Sequence, residues 1–298
     1  MTEIYARSSY LKGAVFGIAA ASIWASWSVV TRLAVTTSLD AWDIAALRFG
    51  AAGLLLAPVL LRGGLARERL GWLGLGVVIA GGGAPYALVA AEGLRFAPAW
   101  NQSALNPGCM PLFVAPIAAI VLGETLSGAA RLGLCLILAG ALIIVGWQGG
   151  SWTLPRSFGD ALSLFAVFLW ASFTVAMRQS RLDPLHAAAL VSTGSLAIYL
   201  PPYLAVHGPA QLPLGELAVQ ALFQGVLVTI VALVLYGRAV AILGASAGAA
   251  FAALVPALSA LPAIPLLGEW PDPTDWVAIA LISAGVYLAS GGPVPESR

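Results

Sequence analysis

Long apolar runs alternate with short polar connectors from one end of the chain to the other. The runs fall at 12–33, 40–61, 70–91, 98–122, 128–147, 158–178, 184–205, 215–236, 244–267 and 273–291. Each approaches or exceeds the roughly 20 mostly apolar residues a helix needs to cross a hydrocarbon core. Connectors such as Arg62-Gly63-Gly64, Gly149-Gly150-Ser151 and Pro271-Asp272-Pro273 carry turn residues, and none is long enough to fold alone. The pattern predicts an all-α integral membrane protein of ten transmembrane helices. The first run exceeds the roughly 7–15 residues of a signal-peptide core, so it is expected to remain as the first span.

The runs also repeat. Trp24-Ala25-Ser26-Trp27-Ser28-Val29-Val30-Thr31-Arg32 returns 146 positions later as Trp170-Ala171-Ser172-Phe173-Thr174-Val175-Ala176-Met177-Arg178. Leu39-Asp40 opens the second run as Leu182-Asp183 opens the seventh. Leu122-Gly123-Glu124 closes the fourth as Leu267-Gly268-Glu269 closes the ninth, and Pro111 matches Pro256 at the same offset of 145. The chain therefore reads as two five-helix repeats, 12–147 and 158–291. Five is odd, so the second repeat enters the membrane from the opposite face and the repeat is inverted. Halves built this way commonly enclose a central cavity with a substrate site at their seam.

Composition fits the bilayer. Hydrophobic residues are 60% of the chain, charged residues 9%, and the mean hydropathy is +0.93, against roughly 25% charged residues in a soluble domain. A formal charge of +1 gives no basic surface for nucleic acid. The single lysine, Lys12, stands outside any glycine-rich phosphate loop, which excludes a self-contained ATP-driven pump. Cys109 and Cys135 are too few for a structural zinc site and are expected to be small buried core residues. With an N-terminus in the cytoplasm, ten of the fourteen basic residues fall inside, namely Arg7, Lys12, Arg62, Arg67, Arg69, Arg131, Arg178, Arg181, Arg238 and Arg298. Arg32, Arg95 and Arg156 fall outside and Arg48 lies within the second span. The positive excess predicts a multi-pass inner-membrane protein with both termini cytoplasmic.

The paired Trp-Ala-Ser segments, the Gly-Glu after the fourth and ninth spans, and the ten spans in two inverted halves resemble the drug/metabolite transporter superfamily. Within it the chain is similar to the EamA-type exporters, most closely those of the YddG type that export aromatic amino acids. The resemblance runs from about residue 12 to 291. It implies a basket-like bundle working by alternating access, with spans one, three, four, six, eight and nine lining the cavity. It implies no cofactor.

Several residues are placed to line such a cavity. Trp42, Trp72, Trp147, Trp152, Trp270 and Trp276 lie near span ends, where an indole suits the headgroup level. Trp24, Trp27 and Trp170 lie near mid-span, where the indole N–H needs a partner in the protein or a wet cavity. Trp27 points about 60° away from a seam that holds Trp24. The fourth span opens with Trp100-Asn101-Gln102-Ser103 and adds Asn106, and amides at that depth require a partner, water or ligand. The third span contains Gly81-Gly82-Gly83-Ala84-Pro85-Tyr86, a weakened helix followed by an aromatic ring. In the eighth span Gln224 is deeper than Gln220. The candidate substrate-binding set is Trp24, Tyr86, Trp100, Asn101, Gln102, Trp170 and Gln224. Rings suit aromatic ligands, and amides suit an amino-acid backbone.

No Asp or Glu occupies a span centre, which argues against a carboxylate proton relay. Arg48 is the deepest formal charge, and snorkelling or pairing with Asp43 is expected of it. No catalytic grouping or metal-ligand cluster stands at membrane depth, so no metal or catalytic residue is assigned. The expected activity is export of small amphipathic metabolites, with aromatic and other hydrophobic amino acids first. Export of lipophilic cations is the alternative within the superfamily. A lipid-linked enzyme or a receptor without a transport cycle has less support. The expected partners are the substrate and the lipid bilayer, with no obligatory protein partner.

Overall fold

A computed structural model describes residues 2–147, 153–243 and 251–290, with side chains from Leu11 onward. Among the described residues there is no strand. The helices are α1 (Thr2–Thr37), α2 (Ala41–Gly63), α3 (Arg67–Gly82), α4 (Ala84–Phe96), α5 (Ala99–Leu122) and α6 (Gly128–Trp147). They continue as α7 (Leu154–Ser180), α8 (Pro184–Val206), α9 (Leu214–Ala221), a π-helical segment (Leu222–Val231), α10 (Ala232–Leu243), α11 (Val255–Leu267) and α12 (Pro273–Ala289). Eight helical segments among the described residues are long and apolar enough to cross a membrane, from Leu11–Thr37 to Leu214–Leu243. The segments α11 and α12 are apolar but shorter, and the expected start of the ninth span at 244–250 lies outside the described residues.

The helix ends follow local chemistry. Asp40 caps α2 in a reciprocal box with Asp43, and Asp183 accepts from the Leu185 and His186 amides at the start of α8. Gly123 and Gly268 end α5 and α11 with φ of 68° and 67°, a left-handed geometry glycine adopts without strain. The Glu124 and Glu269 amides then reach back to Ala118 O and Ala263 O, six residues earlier. The matched sequence pairs thus have matched local structures.

The third span does break where its glycines and proline fall. Gly83 separates α3 from α4, and Ser195 of α8 accepts from the freed Ala84 amide at 3.0 Å. The eighth span holds a feature with no sequence sign. Its middle is π-helical, and Thr229 Oγ1 donates to Gln224 O at 2.8 Å inside it.

Small residues set the helix pairing. The segment α1 packs on α10 and α11, α7 on α3, α4 and α5, α2 on α8, and α6 on α12. A Cβ added at Gly133 of α6 would lie 2.6 Å from Gly285 O, and one at Gly285 the same distance from Gly133 O. Backbone therefore meets backbone in that pair, as small residues permit between membrane helices. Described span-end tryptophans are exposed, with Trp42 at 49%, Trp72 at 67% and Trp270 at 75%, while Trp152 lies outside the described residues. One expectation needs correction. Cys109 is buried, but Cys135 is exposed on α6, because its side chain falls on the face turned away from α12.

Gly285→Leu is expected to force α6 and α12 apart, at a cost of about 1–3 kcal/mol typical of overpacking. Thermal unfolding of the detergent-purified protein checks this. An unchanged transition would mean that the close approach does not contribute to stability.

Candidate functional site

The polar residues at membrane depth gather where α1, α2, α4, α5, α7 and the π segment meet. Tyr86, at the start of α4, packs on Trp170 of α7 at 4.7 Å between ring centroids, and Trp170 packs on Phe173 at 5.2 Å. Tyr86 also sits beside Asn106 of α5 and within Coulombic reach of Arg48. Trp24 pairs with Tyr236 of α10 at 5.2 Å. Both Trp24 and Trp170 remain partly exposed at the edge of the main core cluster. Of the seven expected residues, Tyr86 and Trp170 form one contact cluster and Trp24 belongs to a neighbouring ring pair.

The amides divide into tied and untied groups. Gln224 is fully buried, accepts from Trp27 Nε1 at 2.9 Å and donates to Thr31 Oγ1 at 3.1 Å. Gln102 donates to Ala90 O at 3.2 Å and accepts from Ser163 Oγ. Ser103 donates to Ser28 at 2.7 Å, closing another bond between α5 and α1. Gln102 and Gln224 are thus committed to helix–helix bonds, satisfying each amide in hydrocarbon. Asn101 is fully buried with neither amide atom bonded, while the Asn106 side chain is hydrogen-bonded to Tyr86. Trp100 lies in a second core cluster with Ile137, Ile144 and Ile279, its ring 5.6 Å from the Arg156 guanidinium carbon. It is separated from the Tyr86–Trp170 cluster.

Three of the gathered residues were not in the expected set. Phe173 occupies the position that Trp27 holds in the first repeat, a match the sequence displays. Tyr236, near the end of the eighth span, pairs with Trp24. Arg48 is 7% exposed, and its guanidinium carbon lies 5.9 Å from the Trp27 ring and 5.7 Å from the Phe49 ring. It does not pair with Asp43. That carboxylate instead accepts from Tyr203 at 2.6 Å and from its own helix cap.

Two ion pairs join segments far apart in sequence. Arg32, near the end of α1, holds Glu269, just past α11, at 2.9 Å. Arg32 also donates to Leu94 O near the end of α4, and Glu269 accepts from the Ala99 amide at the start of α5 at 2.7 Å. The pair thereby covers both sides of the α4–α5 turn, with each charge of the sign the helix dipole favours. Arg178, near the end of α7, holds Glu124, just past α5, at 2.5 Å. The pairs therefore flank opposite ends of α5, roughly 36 Å apart for 24 helical residues. Their burial differs, with side-chain exposures of 20% and 13% against 48% and 41%.

At one end of the bundle Asp40, Asp43 and His207 bring ligand atoms within 4.8 Å of one another. Each already has a task. The two aspartates form the α2 cap, Tyr203 donates to Asp43, and His207 Nε2 meets Asp40 at 3.0 Å. Tyr199 donates to Trp42 O at 2.9 Å nearby, so this cluster fastens α2 to α8.

An all-helical bundle with this many apolar spans is a multi-pass membrane protein. The model of the EamA-like transporter family matches residues 11–146 and again 157–291, and the chain belongs to that family. Its members are transporters, not enzymes. The chain is 32% identical to an uncharacterized protein of Pseudomonas aeruginosa over 269 residues, covering 88% of each. It is 28% identical to an uncharacterized transporter of Archaeoglobus fulgidus, over 90% of this chain and 93% of the relative. A probable terminal-alkyne amino-acid exporter of Streptantibioticus cattleyicolor is 29% identical over 86% of both chains. A crystal structure superposes with a TM-score of 0.64 at 21% identity, over 93% of this chain and 96% of its own, and so shares the fold.

Gln224→Leu is expected to leave the buried Trp27 N–H unpaired and to destabilise by about 1–3 kcal/mol. Adding Trp27→Phe removes the orphaned donor, so the double variant is expected to lose less than the sum of the singles. Melting of all four proteins measures the coupling, and strict additivity would count against the bond.

Proposed function

We propose that the chain is a secondary transporter that exports small amphipathic metabolites across the inner membrane, with aromatic and other hydrophobic amino acids as its first substrate class. It works by alternating access between two inverted five-helix repeats, 12–147 and 158–291, around a central cavity, with both termini cytoplasmic. The single observation that carries this reading is the pair of exchanged ion bridges. In each, an arginine ending the first helix of one half holds the glutamate after the fourth helix of the other half. The equivalent residues stand 146 and 145 positions apart, and the bridges lie at opposite ends of the bundle. One is buried with two extra backbone bonds, while the other is exposed. Such an arrangement supports a state sealed at the Arg32–Glu269 end and more open to solvent at the Arg178–Glu124 end, where the pair is formed but exposed. Exchanging which bridge is buried would exchange which end is open.

The substrate part of the reading rests on the Tyr86–Trp170–Phe173 wall, which suits an aromatic or apolar side chain. A relative named as a probable exporter of an amino acid adds support at low identity. Of the remaining candidates of the set, Trp24 is partly exposed, the Asn101 amide is buried and unpaired, and Trp100 lies in the second core cluster. The committed bonds of Gln102 and Gln224 favour a supporting role for both.

The purified chain in liposomes is expected to release preloaded phenylalanine down its gradient without an imposed proton gradient. Accumulation that needs a pH difference and stops with an uncoupler would refute that independence from protons. Arg178→Glu and Glu124→Arg are each expected to slow transport at least about tenfold, the effect of roughly 1.4 kcal/mol on a transition. The double exchange is expected to recover much of the rate. No recovery, with all proteins folded, would remove the bridge from the cycle.

Trp170→Ala is expected to weaken phenylalanine binding about 2- to 12-fold, from a ring contact of about 0.5–1.5 kcal/mol. Trp170→Phe is expected to restore much of the affinity. Intact affinity in Trp170→Ala with a lowered melting point would make Trp170 a packing residue only.

A further inference from the structure

We infer that Arg48 is the carboxylate receptor of this chain, so that its ligands are carboxylates with an aromatic or apolar side group. The inference rests on the transporter reading and narrows its substrate class. It begins with a charge that has no counterpart. Arg48 lies within α2, and its Nε is buried with no hydrogen-bond partner. Among the described residues no carboxylate lies within ion-pair distance of it. The nearest acid on its own helix, Asp43, is held by Tyr203, the Asp40 amide and the edge of His207.

A cation buried in a membrane bundle without a partner is costly and is rarely kept unless it serves a ligand or pathway. The rings of Trp27 and Phe49 offset part of that cost through their quadrupoles. They offer no oxygen, so the buried Nε donor stays unsatisfied. The planar fork of arginine fits a carboxylate through two parallel bonds. Tyr86, hydrogen-bonded to Asn106, lies within Coulombic reach of the Arg48 guanidinium.

The surroundings hold the guanidinium in place. Gln224 fixes Trp27 by accepting its indole N–H. Gly225 lets the π segment lie directly on α2, since a Cβ there would come 2.9 Å from Arg48 O. Beyond Tyr86 lie Trp170 and Phe173, in contact one after another. A ligand with its carboxylate on Arg48 extends its side group along that wall. The same buried positive charge repels lipophilic cations, which sets this class against the drug-exporter alternative.

The test uses the full chain in lipid nanodiscs, with phenylalanine, phenylalaninamide, 3-phenylpropionate and phenethylamine as probes. Wild type is expected to bind phenylalanine at least about tenfold more tightly than its amide. Arg48→Gln is expected to weaken both carboxylates about 10- to 100-fold, the range for hydrogen bonds to charged groups, and to leave the amide unchanged. Arg48→Lys is expected to fall between, because it keeps the charge and loses the fork. The melting temperature of Arg48→Gln is expected to stay level or rise, because a partnerless buried charge has gone.

Equal binding of acid and amide by wild type would overturn the inference. So would an Arg48→Gln protein that loses acid and amide alike, or that melts earlier with its acid preference intact. Should 3-phenylpropionate bind through Arg48 while phenylalanine does not, the amino-acid reading fails and the carboxylate receptor stands. Should phenethylamine bind best, or none of the four bind, the carboxylate receptor falls. Phenylalanine transport with no acid preference would overturn the receptor alone.

Discussion

In hydrocarbon a backbone N–H or C=O without a partner has no water to turn to. The architecture of this chain follows from that constraint more than from any other. Helices satisfy it along their length. Where a helix is interrupted, a side chain from elsewhere completes the bonding. Ser195 of α8 covers the Ala84 amide at the Gly83 break. Glu269 covers the Ala99 amide, and Arg32 the Leu94 carbonyl, across the α4–α5 turn. Interruptions weaken single helices and in the same places tie distant helices together.

The same rule sorts the polar side chains. Gln224 and Gln102 serve the bundle, because each is surrounded by groups that need what an amide offers: an indole and a hydroxyl for one, a carbonyl and a hydroxyl for the other. Asn101 and Arg48 retain unused bonding capacity in buried surroundings. Residues left unsatisfied at depth cost stability, and a functional site is where such costs are retained. The contrast between tied and untied groups is therefore a better guide to the site than depth or polarity alone.

The two arginine–glutamate bridges give this bundle a specific mechanical connection. Each glutamate follows a left-handed glycine that closes its helix and directs the chain back, so the cap determines where the carboxylate stands. Each arginine arrives from the other half of the chain. Membership of the EamA-like family, matched once in each half, agrees with a chain whose two halves carry equivalent parts. The unequal burial of the bridges distinguishes two ends that the equivalent motifs alone would make alike.

The sequence by itself determined what depends on neighbours along the chain. Apolar run lengths set the spans, Asp40 and Asp183 the helix starts, Gly123 and Gly268 the helix ends, and Gly83 the break in the third span. Tryptophans near run ends were legible as exposed rings for the same reason. Only the tertiary structure decided which deep polar groups found partners. Trp100 went to the second core cluster, away from Tyr86, because its face of α5 meets α6 and α12 there. Cys135 was exposed because it lies on the side of α6 away from the buried Gly133, Ile137 and Gly140. Gly225 lets the π segment lie against α2, and Arg48 is left without a carboxylate where Tyr203 claims Asp43. Bonds of this kind join residues more than a hundred positions apart, and no local pattern of apolar and polar positions encodes which side chain will arrive from the other half.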